Sequence, residues 1–262
     1  MENKGLYKTQ KKNGQTYYRV SITYHGKHIS LGGYEEEACA RLVYEKAWEI
    51  LKTPSLSIVD YSDEYPIPFD KWVSLINFRD NGMYFSNPIY IRSRMFFYYM
   101  SPTYVLKFDV DDLFYYSSHK IMKRGNHLFV ADYGMQVNIA SRYGIKNHAV
   151  IGKDYEFING DNTDYRYSNI RVFNTYQGVV PISKNGITKY KAIIHIKGNF
   201  IIGTFDTKEK AAIAYNKAAD TVLKNGCTKK FHQNFIEDIT ASEYASIYTT
   251  ISIPQKIKQL SF

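Results

Sequence analysis

Two stretches of the chain repeat one pattern of apolar and polar positions. Residues 13–51 align within residues 185–223, at an offset of 172 that falls to 171 after the turn at Gly26 and Gly198. So few copies indicate a duplicated module, because a solenoid needs several stacked units. A structure predicted for one copy is therefore expected in the other.

Each copy begins with two predicted strands. Every second residue from Tyr18 to Ile22 is apolar, a period of two that predicts a half-buried strand. A turn is predicted at residues 25–27, and beyond it Ile29 and Leu31 point inward in a second alternation. In the second copy the inward positions are Tyr190, Ala192, Ile194 and Ile196, and the outward ones are Lys189, Lys191, Ile193 and His195.

A helix is predicted after each pair of strands. In the first copy it would bury Ala38, Leu42 and Ala47, with three acids at its start, where the helix dipole favours negative charge. In the second copy, Asp206 or Thr207 is the natural N-cap before an alanine-rich face. Each module is thus a small antiparallel sheet with a helix on one face and the other face open.

The segment between the modules has weaker patterns. Residues 89–91 and 104–108 predict half-buried strands, and Tyr133-Gly134 predicts the turn of a hairpin. Asp161 and Asp164 lie in a polar turn, where such side chains usually bond to the backbone two residues on.

The tail after the second module predicts a helix and an arm. Thr240 followed by Glu243 is a capping box, which marks a helix start. Residues 234–237 are expected to lie back over the second module's helix. Residues 250–254 predict a terminal strand that serves as a docking arm or a dimer contact.

Composition limits the class of protein. Of the 262 residues, 44% are hydrophobic and 16% aromatic, which favours a folded core over intrinsic disorder. The sequence contains no apolar run of about 18–20 residues and no secretory signal, so we expect a soluble, cytoplasmic protein with no membrane partner. The two cysteines, Cys39 and Cys227, cannot form a disulfide framework or a four-ligand zinc site.

The net charge of +9 is concentrated in the two modules. Residues 1–52 carry nine basic and six acidic groups, and residues 177–226 carry eight and three. The outward positions of the long strands are basic, hydroxyl, amide or apolar, with no acid among them. A sheet of this kind can enter the major groove of DNA, and a solvated surface is the alternative interpretation.

Both modules resemble the Apetala/ethylene-response-factor DNA-binding domain. In the first copy the matching motifs are Gly5-Leu6-Tyr7, the Tyr-x-Val-x-Ile strand, Leu31-Gly32-Gly33-Tyr34 and the Ala-x-x-x-Tyr-x-x-Ala helix. In the second copy they are Gly178-Val179-Val180, Ile202-Gly203-Thr204-Phe205, Asp206-Thr207 and Ala211-Ala212-x-Ala214-Tyr215-x-x-Ala218. The resemblance implies a three-stranded sheet that lies in the major groove, with the helix packed behind it.

The resemblance also implies which side chains face DNA. In the first copy they are Lys4, Tyr7, Thr9, Arg19, Ser21, Thr23, His28 and Ser30. In the second copy they are Gln177, Val180, Lys191, Ile193, His195, Asn199 and Ile201. Both copies depart from the family in lacking most of its arginines and its groove-facing tryptophan.

Residues 156–172 resemble the core of HNH nucleases of the phage homing-endonuclease type. The matching positions are Ile158-Asn159-Gly160-Asp161, Asp164, Arg166 and Ser168-Asn169-Ile170-Arg171. The order of an HNH core followed by an Apetala-type module is itself characteristic of those nucleases. The resemblance implies metal-dependent phosphodiester hydrolysis with a histidine as general base.

The catalytic positions of that pattern are degenerate in this chain. The first ligand position is Glu156, the general-base position is Phe157, and the later ligand position falls at Gly178, with Asn174 as the nearest substitute. Phe157 cannot accept a proton. Asn169, the structural middle member of the pattern, is kept, so we expect a nuclease-like fold without nuclease chemistry.

The expected fold is therefore α+β, with two small three-stranded-sheet-plus-helix DNA-binding modules flanking a degenerate HNH domain of the ββα-metal type. The expected divisions are residues 1–52 for the first module, 53–106 for an aromatic-rich extension of the central domain, 107–176 for the HNH-like core, 177–226 for the second module and 227–262 for a C-terminal helix and arm.

Three functions remain open from the sequence. The preferred hypothesis is a non-catalytic protein that binds double-stranded DNA, a candidate transcriptional regulator derived from a mobile HNH endonuclease, with no cofactor and no metal. The first alternative is an active HNH nicking or homing endonuclease that uses Mg²⁺ and a displaced base such as His148. The second is a protein-binding effector. A homodimer through the C-terminal arm is compatible with each.

Overall fold

The computed structural model describes residues 5–11, 13–147, 149–174, 176–237 and 239–262. The chain divides into two compact units, residues 1–139 with 161–169 and residues 140–160 with 170–262. The expected α+β class is confirmed at the level of small antiparallel three-stranded sheets with few helices. Within the described residues, no helix has the length and apolar character that crossing a membrane requires.

The first unit opens with a three-stranded antiparallel sheet and a helix. The elements are β1 (Leu6–Gln10), β2 (Thr16–Tyr24), β3 (Lys27–Tyr34) and α1 (Glu37–Lys52), with β2 in the centre of the sheet. The alternation predicted for β2 is confirmed at Val20 and Ile22, which are buried, and at Arg19 and Thr23, which are exposed. These buried residues face α1 in one apolar core.

The buried face of α1 differs from the predicted one. Leu42 is 55% exposed and Ala38 is also exposed, whereas Ala40, Val43 and Ala47 are buried. The buried residues follow one another at spacings of three and four, which keeps them on one face of the helix. The predicted residues are spaced by four and five, so they do not stay on one face. Only Ala47 belongs to both.

The rest of the first unit contains two more antiparallel sheets and a buried helix. The elements are α2 (Phe69–Asn81), β4 (Ile89–Arg92), β5 (Met95–Ser101), β6 (Tyr104–Asp109), α3 (Leu113–Ser118), β7 (Met122–Arg124), β8 (His127–Asp132) and β9 (Met135–Asn138). The predicted strands at 89–91 and 104–108 and the hairpin across Tyr133-Gly134 are confirmed. Helix α2 buries Trp72 and Ile76 in the same core as α1.

The second unit contains a short hairpin and the second module. Its elements are β10 (Tyr155–Phe157), β11 (Ile170–Val172), β12 (Val179–Lys184), β13 (Ile187–His195), β14 (Asn199–Phe205), α4 (Lys208–Lys224), α5 (Ala241–Thr250) and α6 (Gln255–Lys258). Of the two predicted N-caps, Asp206 and Thr207, the structure has Thr207, whose side chain accepts a hydrogen bond from the Lys210 amide at 3.2 Å. The alanines of α4 are buried against the sheet.

The tail folds onto α4 of the same chain. Asn234 exchanges hydrogen bonds of 2.7 and 2.8 Å with Asn216 of α4, as expected, and the capping box of Thr240 and Glu243 is confirmed. The strand predicted at residues 250–254 is wrong, because Thr250 ends α5 and Pro254 precedes α6.

The isoleucines within and just after the segment predicted as a terminal strand are buried. Ile251, Ile253 and Ile257 are at most 9% exposed and belong to the apolar core of the second module. The apolar side chains of the arm thus pack within the chain. A homodimer through this arm stays a prediction.

A glycine occupies the same place in both modules. The carbonyl oxygen of Gly5 accepts a hydrogen bond from the Ser21 amide at 2.9 Å, and that of Gly178 accepts one from the Ile193 amide at 2.7 Å. In each module the bonded residue directly follows a register shift between the central and third strands, at which the third strand has one extra residue. The backbone φ is +114° at Gly5 and +73° at Gly178, a region that favours glycine.

The two glycines also lie against a helix tyrosine. A Cβ on Gly178 would overlap the Tyr215 ring and the carbonyl oxygen of Ile193, and one on Gly5 would overlap Tyr44 and the carbonyl of Ser21. Each position therefore requires a residue that has no side chain and that tolerates a positive φ. The duplicated modules are therefore built around the same close approach of strand backbone to helix.

Replacing Gly178 by alanine tests this contact. Gly178→Ala should lower the free energy of unfolding by at least about 2 kcal/mol more than Gly186→Ala, since overpacking adds to the backbone strain. Gly186 is the matched control, because its φ is +77° but a Cβ there would meet nothing within 4 Å. Urea unfolding of both variants measures the difference, and equal losses would contradict the proposed packing.

Candidate nucleic-acid interface

The outer face of the first module carries a cation and an aromatic ring at its centre. Tyr7 on β1 pairs with Arg19 on β2, and Tyr7 is 57% exposed. The Arg19 Nε donates a hydrogen bond of 3.0 Å to the Tyr17 hydroxyl, and its guanidinium lies 5.7 Å from the Tyr17 ring centroid. These contacts hold the guanidinium on the open side of the sheet, where a cation–π contact restrains it without neutralising it.

The other predicted residues of this face are distributed around that centre. Thr23 and His28 are paired across β2 and β3, with Oγ1 and Nδ1 3.4 Å apart, and both are exposed. Ser30 is exposed and Thr9 is half-buried. Lys4 lies outside the described residues.

Ser21 differs from the expectation for this face. It is 7% exposed, although the alternation predicts an outward position. The β-bulge at this point and the hydrogen bond from its amide to Gly5 bring the start of β1 close to it. The residue therefore contributes little surface to the outer face.

The outer face of the second module combines cations with apolar side chains. Lys191 pairs with Val180 of β12, and Ile193 pairs with Ile201 of β14. At the turn between β13 and β14, the Nδ1 of His195 lies 2.9 Å from the Oδ1 of Asn199, and both residues are exposed.

Gln177 lies beside this face rather than on it. Its amide donates to the Asn234 side chain at 2.6 Å, and its carbonyl accepts from the same side chain at 3.0 Å. Its side-chain Oε1 is buried and has no hydrogen-bond partner among the described residues. A fixed backbone and an enclosed amide oxygen leave Gln177 less able to reach a duplex than the strand residues.

A groove of about 450 Å³ borders one end of the second outer face. Its walls bring Lys153 and the pair Lys229 and Phe231 next to Ile193 and His195. The Lys229 Nζ donates a hydrogen bond of 2.8 Å to the His195 carbonyl. The internal repeat did not predict these residues of the groove, because the segments that contain Lys153 and Lys229 have no counterpart in the first copy.

The residues at the nuclease-like catalytic positions have structural contacts. Glu156 on β10 pairs with Arg171 on β11, and their side chains form an exposed ion pair of 3.1 Å. Phe157 is 8% exposed. Gly178 is the glycine pressed against Tyr215, which leaves no room for a ligand side chain.

Asn174 is a buried hydrogen-bonding centre. Its Nδ2 donates to the Asp154 carboxylate at 2.5 Å and to the Val179 carbonyl at 2.6 Å, and its Oδ1 accepts from the Tyr176 amide at 3.2 Å. It is 3% exposed. The side chain connects the start of β12 to the loop before β10, a structural role.

Asn169 and the two acids before it organise the loop of residues 161–169. Asn169 is 5% exposed and donates to the Asp164 carbonyl at 2.8 Å. The Asp161 carboxylate accepts from the Thr163 amide at 2.9 Å, and Asp164 accepts from the Arg166 amide at 3.3 Å. The predicted turn role of both acids is confirmed.

Asp161 and Asp164 also form ion pairs. Asp161 pairs with the Lys107 ammonium at 2.7 Å, and Asp164, fully buried, pairs with the Arg166 guanidinium at 2.6 Å. Hydrogen bonds from Lys107 and Thr163 lower the pKa of Asp161 to about 2. In the part of the chain that the structure describes, no three His, Cys, Asp or Glu side chains are grouped as metal ligands. His148 lies outside that part.

No protein-family model, curated protein or solved structure matches this chain. The resemblances drawn from its motifs therefore remain proposals, and the function has to be argued from the two outer faces themselves.

The Lys107–Asp161 pair predicts a specific acid sensitivity. Since the folded-state pKa of Asp161 is depressed, its carboxylate stabilises the fold above the ordinary carboxyl range, and this contribution is lost as the pH falls towards 2. Lys107→Met should raise the pKa of Asp161 while the Thr163 bonds keep it below the ordinary value. NMR titration of the carboxyl carbon measures this shift. The exposed Lys120→Met is the control, and an unchanged pKa in Lys107→Met would contradict the assignment.

Proposed function

We propose that the protein binds double-stranded DNA without catalysis, with the outer faces of its two three-stranded sheets. The observation that carries this proposal is that the outer faces of the two sheets share three features. Each lies opposite the helix of its module, each is open, and the charged side chains on its strands are cations, Arg19 and Lys191 at the centre.

The dimensions of such a face suit the major groove. A two-stranded ribbon fits a groove about 12 Å wide, where Arg and Lys reach guanine edges or phosphates. In the first module the polar side chains of Arg19, Thr23 and His28 can donate and accept hydrogen bonds on base edges. In the second, Lys191 is the cation available for a phosphate.

The contacts at the nuclease-like positions favour a non-catalytic role. Phe157 cannot act as a base, and the Glu156 carboxylate already pairs with Arg171. We therefore propose a regulator derived from a mobile HNH endonuclease that acts on DNA in the cytoplasm, associated with the nucleoid of a bacterial or phage-infected cell.

Substitutions on the two faces should have different effects. Arg19→Ala should weaken specific binding by about 1–3 kcal/mol and flatten sequence preference if the guanidinium reads a base. Lys191→Ala should weaken binding to all sequences alike and reduce the slope of log affinity against log salt by about one. Selection of bound sequences followed by fluorescence anisotropy at several salt concentrations measures both effects.

Exposed cations on the helices serve as matched controls. Arg41 lies on α1 and pairs with Glu37, and Lys210 lies in the first turn of α4, so alanine at either should leave affinity nearly unchanged. Equal, small effects of all four substitutions on every sequence would contradict groove binding. A chain that binds no DNA at low salt would exclude the function altogether.

A plasmid assay separates this proposal from an active nuclease. With Mg²⁺ or Mn²⁺, the protein should shift supercoiled plasmid on a gel and leave it uncut. Glu156→Ala should change neither result, because an exposed ion pair contributes at most about 1 kcal/mol to stability. Metal-dependent nicking that Glu156→Ala abolishes would instead establish the nuclease.

A further inference from the structure

The centre of the second outer face is apolar. Ile193 and Ile201 lie opposite each other across β13 and β14, and Val180 occupies the adjacent strand next to Lys191. Ile201 is 58% exposed, and Val180 and Ile193 are half-buried. Exposed isoleucine on the open side of a sheet leaves apolar surface in water, which a bound partner would remove.

The equivalent positions of the first module are polar or aromatic. The glycine-bonded residues show that Ile193 corresponds to Ser21, and the pairing register then places Ile201 at the position of Ser30 and Val180 at that of Tyr7. Since both modules share the same bulge and the same glycine contact, the backbone does not require isoleucine at these positions. Val180, Ile193 and Ile201 thus form an apolar strip that, among the described strand residues of the two modules, occurs on the second outer face alone.

Cations border the strip. Lys191 lies on β13, opposite Val180 and two residues before Ile193, and Lys229 and Lys153 line the groove at one end. An apolar strip with ammonium groups beside it complements a surface that is apolar at its centre and anionic at its edges. The major groove of thymine-containing DNA has this character, because the thymine C5-methyl is the apolar group among its base edges and phosphates line both sides.

We propose that the second module recognises the methyl groups of thymine in the major groove, through Val180, Ile193 and Ile201. The inference rests on the proposed function and specifies the DNA that this module prefers. Neighbouring strands lie about 4.8 Å apart and base pairs rise about 3.4 Å, so three side chains on three adjacent strands span roughly three base pairs. Lys191 anchors the phosphate backbone, and the isoleucines select A·T pairs.

The methyl group can be removed without changing any hydrogen bond of the base. The full chain is titrated with a 24-bp duplex of alternating dA and dT, and with the same duplex in which deoxyuridine replaces every thymidine. We expect the deoxyuridine duplex to bind more weakly by about fourfold for each methyl contacted, the effect of burying one such group.

Substitutions in the apolar strip test whether its side chains cause the preference for thymine. Ile193→Ser and Ile201→Ser should each reduce the preference for thymine, and the triple variant that also carries Val180→Ser should abolish it. Leu223→Ser is the matched control, because Leu223 is an exposed apolar residue on α4 and the preference should persist. Thermal unfolding checks that each variant is folded, and the comparison of the two duplexes with the unaltered protein needs no variant.

The outcomes separate this inference from the function on which it rests. Equal affinity of the unaltered protein for the two duplexes would contradict methyl recognition and leave DNA binding in place. A thymine preference that survives in the triple variant would contradict the role of these three side chains. Absence of binding to either duplex at low salt would overturn both proposals.

Discussion

The architecture of both modules depends on one close contact between a glycine and a helix tyrosine. Gly178 lies against the Tyr215 ring while its carbonyl accepts a hydrogen bond from the Ile193 amide, at the register shift between β13 and β14, and Gly5 and Tyr44 repeat the arrangement. The contact fixes the first strand of the sheet to the helix on one side and to the central strand on the other. The opposite face of the sheet remains open because the helix already covers the inner one.

The duplicated scaffold carries two different surfaces. In the first module the centre of the open face is Arg19 held by Tyr17, and in the second it is Lys191 beside Ile193 and Ile201. The inner residues are alike in the two copies because they serve the same packing. The outer residues differ between the copies, and the difference that we propose in their DNA contacts rests on them.

The sequence predicted those features whose physical cause is local. Strand alternation, the cap at Thr207 and the turn bonds of Asp161 each depend on residues a few positions apart. The exposure of Leu42 and the burial of Ser21 depend instead on which face of a helix meets the sheet and on a bulge. The tail shows the same limit, since Ile251 and Ile253, in the segment predicted as a strand, are buried in the apolar core of the second module and belong to no described strand.

The central claim is that the open faces of the two sheets contact DNA. Hydroxyl-radical footprinting of the protein, read by mass spectrometry with and without a duplex, measures the solvent accessibility of individual side chains. The account predicts that DNA protects Tyr7, His28, His195 and Ile201, while the exposed Leu42 and Leu223 on the helices keep their reactivity. Protection of the two leucines with unchanged oxidation of the sheet residues would contradict it.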